Sequence, residues 1–278
     1  MTSYEHDIRS VKHLRMEDIL RIAGKHVPGH FLSCPWTHHE LEHGKGILKS
    51  EEALNCYLAA YGIMHANKMF WMLKNSIKAS FDTDFEVVDW GCGQGLAALC
   101  LVEFLQKHKF TMPSRITLVD ASAAALRRAK LHLEVMAGSR IELHSVEGFL
   151  IGSINRHFWK DDAVCATRPF VLHLLSNIFD MPGISLHALS RCIKRTDREG
   201  LVLCAAHYSE KTVSAISMFS SSFSSASTDT LFTDSGPRLW RRSDGYTYGA
   251  ALKAFRIRQH DNSTTALSFS EEKFSAAA

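Results

Sequence analysis

Glu86-Val87-Val88-Asp89-Trp90-Gly91-Cys92-Gly93-Gln94-Gly95 runs from an apolar strand, through an acidic residue, into three alternating glycines. Glycine lacks a Cβ, takes positive φ without penalty and lets backbone approach a ligand closely. Three of them directly after a buried strand weaken a fold unless something fits against them. The next stretch, Leu96 to Leu105, is apolar except for Glu103 and reads as a helix packed on the sheet. Strand, glycine turn and helix make the nucleotide-binding half of a doubly wound α/β fold, whose ligand lies at the carboxyl ends of the strands.

The spacing narrows the ligand. The register is G-x-G-x-G, with Leu96 in the sixth place where a dinucleotide turn carries glycine, and residues 91–98 contain no Lys, Ser or Thr to serve a triphosphate loop. Asp89 repels a pyrophosphate and attracts an ammonium or a sulfonium. Downstream, Arg115 to Asp120 is an apolar run ending in a carboxylate, and Ala121 to Lys130 is a strong helix pattern. An acid at that strand tip can accept both hydroxyls of a ribose, and it can equally cap the helix that follows. A third unit, Ile141 to Gly148, ends in Glu147.

This ordered set, Asp89 with Gly91, Gly93 and Gly95, then Asp120, then Glu147, resembles the class I S-adenosylmethionine (SAM)-dependent methyltransferases. Their E/D-x-G-x-G-x-G signature lies beneath the methionyl part of the cofactor. The resemblance covers about 130 residues and implies a doubly wound, mostly parallel seven-stranded sheet. It also implies SAM held by Asp89, Gly91, Cys92, Gly93 and Gly95, by Asp120 and Ala121 at the ribose, and by Glu147 near the adenine amino group. Cys92 and Trp90 are expected to supply packing and backbone rather than chemistry.

Residues 1–80 read as an N-terminal helical cap, 81–210 as the SAM-binding core, 211–237 as a Ser-rich loop or linker, and 238–278 as strands completing the sheet. In the cap, Arg9 to Ala23 reads as one amphipathic helix and Gly24 to Gly46 as loop. A long helix starts from Ser50 as N-cap and runs to about Lys78. On it, Tyr57, Tyr61 and His65 share a face and are expected to form a lid over the cofactor, with plain packing on the sheet as the alternative. The closing hairpin is expected from Tyr246 to Ile257 and Ala266 to Phe269.

Chemistry is expected near the ends of the fourth and fifth strands. Ser176, Asn177 and Phe179 follow the strand Pro169 to Leu175, beside the place for the transferable methyl group. The D/N/S-P-P-Y/F pattern of amino-methyltransferases is absent there, since both prolines are missing. Ser176 is expected to touch cofactor and Asn177 the acceptor, while His207, Tyr208 and His65 are candidate bases. Methyl transfer from a sulfonium needs alignment above all, and a base only if the acceptor loses a proton.

A rival motif, His39-Glu40-Leu41-Glu42-His43, matches the H-E-x-x-H of metal hydrolases, but Gly44 and Gly46 end any helix at once, so no metal is expected. A net charge of +3 does not announce a nucleic-acid partner by itself, although Arg238, Arg241, Arg242, Lys253, Arg256 and Arg258 concentrate basic charge that could face phosphates. The N-terminus has no signal pattern and no apolar run reaches membrane-spanning length, so the expectation is a cytoplasmic protein with no membrane partner. Seven cysteines without C-x-x-C spacing suggest neither disulfides nor a cysteine zinc site. The alternative from another class is a non-catalytic SAM-fold module that binds nucleic acid or protein.

Overall fold

The computed structural model describes residues 1–77, 84–148, 170–195, 199–223, 228–241 and 245–258. Seven strands, β1 (Phe85–Trp90), β2 (Arg115–Asp120), β3 (Glu142–Glu147), β4 (Phe170–Ser176), β5 (Glu199–His207), β6 (Thr228–Arg241) and β7 (Thr247–Ile257), form one sheet in the order β3-β2-β1-β4-β5-β7-β6. The pairings from β3 across to β5 are parallel, and β7 runs antiparallel between β5 and β6. This is the mostly parallel, doubly wound sheet that the sequence implied.

Both faces of the sheet are covered over its central strands, which is why β1, β2, β4 and β5 read as largely apolar runs while the edge strands β3 and β6 do not. Val87, Leu118, Leu172 and Leu203 point to one core, and their neighbours Val88, Val119, Val171 and Val202 point to the other. The first core is closed by α1 (Ser3–Ser10), α2 (Met16–Lys25), α4 (Ile63–Ser76), α5 (Leu96–His108) and α6 (Ala123–Ala137). The second is closed by α7 (Leu186–Arg195) and α8 (Glu210–Ser221). The chain steps from β1 outward to β2 and β3 and then returns to β4 beside β1. The resulting crevice lies at the carboxyl ends of β1 and β4, where Trp90 pairs with Leu175.

Three expectations need correction. Arg9 to Ala23 is two helices, because Ser10 Oγ turns back to Asp7 O at 2.7 Å and α2 restarts where the Asp18 carboxylate accepts the Arg15 amide at 3.3 Å. The expected Ser-rich linker is largely helix α8 and strand β6. Ser209 and Thr212 cap α8 reciprocally, Ala215, Ile216 and Phe219 bury its inner face, and Ser220 Oγ satisfies itself on Ser217 O. The hairpin that closes the sheet is therefore β6 with β7, and Ala266 to Phe269 lies outside the described residues.

The long cap helix begins where expected, with Ser50 Oγ accepting the Ala53 amide at 3.1 Å. It runs as α3 (Glu51–Tyr57), a π-helical turn at Leu58–Gly62, and α4. Buried polar ties dock it on the core. Arg128 of α6 donates to Asn55 Oδ1 at 2.6 Å, pairs with Glu51 and lies 3.6 Å over the Tyr4 ring, whose hydroxyl meets His132 Nε2 at 2.9 Å. Among the described residues no helix is long and apolar enough to cross a membrane.

Candidate functional site

The glycine turn adopts the conformation that its sequence requires. Gly91, Gly93 and Gly95 have φ of +65°, +52° and +80°. A Cβ on Gly91 would also meet Ile178 Cγ2 at 2.5 Å, whereas one on Gly93 would project into open space. The Cys92 amide donates to Val119 O at 3.0 Å, so Cys92 acts through backbone, and burial pushes its thiol far above the usual range. Gln94 fastens the turn to the cap by donating to Leu54 O at 2.9 Å.

Two acids hold this turn from below and beside. Asp89 is completely buried. Its Oδ2 accepts the Ala98 amide in the first turn of α5 at 3.2 Å, and Oδ1 has no partner among the described residues. Burial pushes its carboxyl up to about 7, with the Ala98 amide opposing and the charge of Asp120 adding to the rise. Asp120 clasps the turn to the second strand: Oδ2 accepts the Gly93 amide and Oδ1 the Ser122 amide, both at 2.8 Å. Burial raises its carboxyl too, against the pull of those amides. The ribose-type acid is thus also a loop clasp, and the cap of α6 is Ser122, whose Oγ accepts the Ala125 amide.

A cleft of about 80 Å³ lies over this turn, walled by Gly91, Gly93, Asp120, Ala121, Ser176 and Asn177 and roofed by Gly44 to Leu48 of the cap with Tyr57. Glu147 ends β3 exposed to solvent, and neither it nor Asp89 lines the cleft. A second cavity of about 300 Å³ adjoins the first, sharing Gly44, Tyr57, Asn177 and Met181 with it. Tyr61, His65 and His207 line this second cavity and not the first, so Tyr57 rather than Tyr61 faces the cofactor-type cleft. Tyr208 lines neither. It is half-exposed and its amide donates to Gly249 O at 3.0 Å. Phe179 packs edge-on against Phe219 in the core, with ring centroids 5.7 Å apart, and is not available to stack on a substrate.

The second cavity contains a cluster that the sequence reading missed. Lys68, one turn beyond His65 on α4, is only 3% exposed, and its Nζ donates to Asn177 Oδ1 at 2.5 Å. Burial lowers its ammonium to about 7, against the attraction of Asp180. Asp180 is buried and paired with Lys45 Nζ of the cap at 2.7 Å, and His207 Nδ1 stands 3.8 Å from the same oxygen. Asn177 is pinned in left-handed backbone at φ +58°, its amide donating to Ala205 O at 2.7 Å and its Nδ2 to Ser176 Oγ at 2.9 Å. Both ends of its side chain are therefore used. Burial, then the charges of Lys68 and His207, holds the His65 ring well below its usual range, and burial also lowers His207. The available signal was periodicity, since Tyr61, His65 and Lys68 fall at i, i+4 and i+7 and bring a charge into an otherwise buried stripe.

Residues His39–Gly44 form a 3-10 helix, in which positions four apart fall on different faces, so the H-E-x-x-H spacing loses its meaning. Glu40 instead accepts the amides of Lys49 at 2.7 Å and Ser50 at 3.1 Å. Among the described residues no cluster of three His, Cys, Asp or Glu could hold a metal. Of the basic residues near the C-terminus, Arg256 pairs with Glu199 at 2.5 Å, Arg258 with Asp229 at 2.5 Å, and Lys253 donates to Ser220 Oγ at 2.6 Å. Arg242 lies outside the described residues.

No protein-family model matches the sequence, and no curated protein matches it in sequence. Solved structures do resemble it in chain trace. A candidate RNA methyltransferase of Pyrococcus horikoshii covers 94% of this chain and 100% of its own at 9% identity, with a TM-score of 0.46. The precorrin-6y C5,15-methyltransferase of Geobacter metallireducens covers 77% of this chain and 91% of its own at 10% identity, TM-score 0.42. A candidate methyltransferase of Streptococcus mutans, in complex with SAH, covers 70% and 96% at 13% identity, TM-score 0.39. These likenesses concern fold alone and transfer no residue role.

Proposed function

We propose that this chain is a SAM-dependent methyltransferase that takes the cofactor in the cleft over Gly91 to Gly93 and the methyl acceptor in the adjoining cavity. The observation that carries this reading is the meeting of the two cavities at Asn177, with a glycine turn and strand-end acid on one side and a buried polar cluster on the other. The residues present fit such a cofactor. The Cα of Gly93 faces space that a side chain would fill. Asp120 has given one lone pair per oxygen to the chain's own amides and retains acceptor capacity for ribose hydroxyls. Asp89 holds the turn from beneath through the Ala98 amide and does not itself reach the cleft.

Bound SAM would supply a methyl group on a positively charged sulfur, already a good leaving-group centre. The chain then has three tasks: Asp120 and Ala121 orient the ribose, Ser176 and Asn177 fix the junction, and the cap excludes water. Holding the acceptor in line across that junction supplies much of the acceleration.

Titration calorimetry tests the reading. Heat is expected with SAM and with S-adenosylhomocysteine. Silence with both at millimolar concentration refutes the proposal, and binding of NAD in their place would mean that the turn serves a dinucleotide.

A further inference from the structure

Lys68 is the feature of the second cavity that packing does not explain. The position is core-facing: Met69, Met72 and Leu73 on the same helix are fully buried, and an apolar side chain would serve stability better there than an amine stripped of water. Its Nζ has Asn177 Oδ1 as its hydrogen-bond partner among the described residues, which in the neutral amine leaves one N–H and the lone pair for whatever occupies the cavity. The nearby negative charge is already engaged, since Asp180 pairs with Lys45 of the cap.

The surrounding groups specify what those donors would meet. Tyr57 stands beside His65, its hydroxyl 3.5 Å from Nδ1, and the Tyr61 ring stacks on the His65 ring with centroids 6.2 Å apart, so one wall is a block of flat rings. Tyr248, whose hydroxyl accepts from Asn67 Nδ2 at 2.8 Å, lies on the β7 side, and His207 closes the end of β5. A space of about 300 Å³ between ring walls takes a planar, ring-sized molecule. A ring hydroxyl matches a neutral amine on a single atom, since its O–H donates to the lone pair of Nζ while its oxygen accepts the remaining N–H. A ring amine, whose lone pair is delocalised into the ring, accepts poorly.

The geometry points to an acidic ring hydroxyl, a phenol or enol, as the methyl acceptor, with Lys68 as the catalytic residue that receives its proton. This rests on the methyltransferase reading above. The hydroxyl proton passes to the neutral Lys68 amine, giving an ammonium beside the new oxyanion. An oxygen lone pair forms the O–CH3 bond, and the electron pair of the broken S–CH3 bond of the sulfonium donor stays on sulfur, leaving a neutral thioether. The ammonium returns its proton to solvent by way of the exposed His207 rim. Burial favours the neutral amine that the step needs, while the charge of Asp180 opposes it.

The test uses p-nitrophenol, whose anion is yellow and whose neutral form is not, added to the whole protein without any cofactor. At a pH where the free phenol is mostly neutral, the bound phenol is expected to absorb as the anion, because the proton resides on the Lys68 amino group beside the phenol oxygen. Lys68→Met should abolish that absorbance, and Lys68→Arg should keep it, since a guanidinium also holds a negative charge. p-Nitroaniline should bind at least tenfold more weakly than the phenol. A parent protein that leaves the phenol neutral or unbound, or a Lys68→Met protein that keeps the anion with a native thermal melt, overturns the proposal. Because the assay contains no SAM, failure of the cofactor reading would show in the calorimetry and leave this result untouched.

Discussion

Replacing Asp120 with alanine separates the two roles that this carboxylate can have. In the free protein its oxygens accept the Gly93 and Ser122 amides, both at 2.8 Å. Hydrogen bonds to a charged group contribute about 1.5–3 kcal/mol each. The sum is not lost in full: the Ser122 amide lies at a turn where water can replace the carboxylate, and removal of a buried acid returns its desolvation cost, which is what raises the carboxyl. A net destabilisation of about 2–3 kcal/mol is expected, enough to lower a melting temperature by several degrees without unfolding the chain. If Asp120 also accepts ribose hydroxyls, SAM affinity should fall about ten- to a hundredfold beyond that, about 1.4–2.7 kcal/mol. Thermal melts measure the first effect and calorimetry with SAM the second. Asp120→Asn sharpens the contrast by setting an amide NH2 against one of the two backbone donors. A destabilised Asp120→Ala protein that binds SAM with the parent's affinity would refute the ribose role and leave only a loop clasp.

Two further expectations follow from burial and from the closed cleft. Burial lowers His132 and His173 to about 3 and His65 well below its usual range, with the charge of Arg128 adding at His132. Between pH 6.5 and 3 the unfolded chain therefore takes up protons that the native state refuses, and stability falls as pH falls through that window. Asp89, raised to about 7, works the other way between pH 7 and its unfolded value, but it is one strongly raised acid against three histidines. The urea midpoint should be clearly lower at pH 5 than at pH 7, and an equal or higher midpoint at pH 5 would contradict this balance. The second expectation concerns admission of the cofactor. A cleft of about 80 Å³ is smaller than the roughly 300–1,000 Å³ of ligand pockets, so a wall must move, and the lining that stands outside the buried clusters is Gly44 to Ile47, with Leu48 buried behind it. Hydrogen exchange across residues 44–48 should slow when S-adenosylhomocysteine is added, while α4 stays slow throughout. Ligand-dependent protection confined to α4 would make the helix the moving part.

The strands of the parallel half were legible because β1, β2, β4 and β5 are buried on both faces, and even the partly exposed β3 ends in an acid followed by glycine. Val87-Val88-Asp89, Leu118-Val119-Asp120 and Leu143 to Glu147 announce strand, ending and loop together, and the observed registers bring those endings to one edge of the sheet. The antiparallel half was harder to read. Serines 217, 220 and 221 suggested a loop by composition, but Ala215, Ile216 and Phe219 bury at helical spacing, and a serine hydroxyl inside a helix can satisfy itself on the preceding turn. In that segment the apolar spacing was a better guide than the serine content.

The glycine turn and its clasp were legible as local structure because their residues are neighbours in sequence, set by one turn and the strand beside it. The second cavity was not, because it is assembled from distant segments: Lys45 of the cap, Lys68 of α4, Asn177 and Asp180 after β4, His207 at the end of β5 and Tyr248 of β7. No spacing rule joins residues 45, 68, 180 and 248. The π-helical turn at Leu58–Gly62 adds to the difficulty, because one wide turn alters the register between Tyr57 and Tyr61 and sends the first toward both cavities and the second toward only one. Asn177 shows the same limit at the level of a single side chain. From sequence it is a free amide at a strand end, suited to grip a substrate. In the fold its carbonyl oxygen is taken by Lys68 and its nitrogen donates to Ser176, so the amide serves first to position the buried lysine.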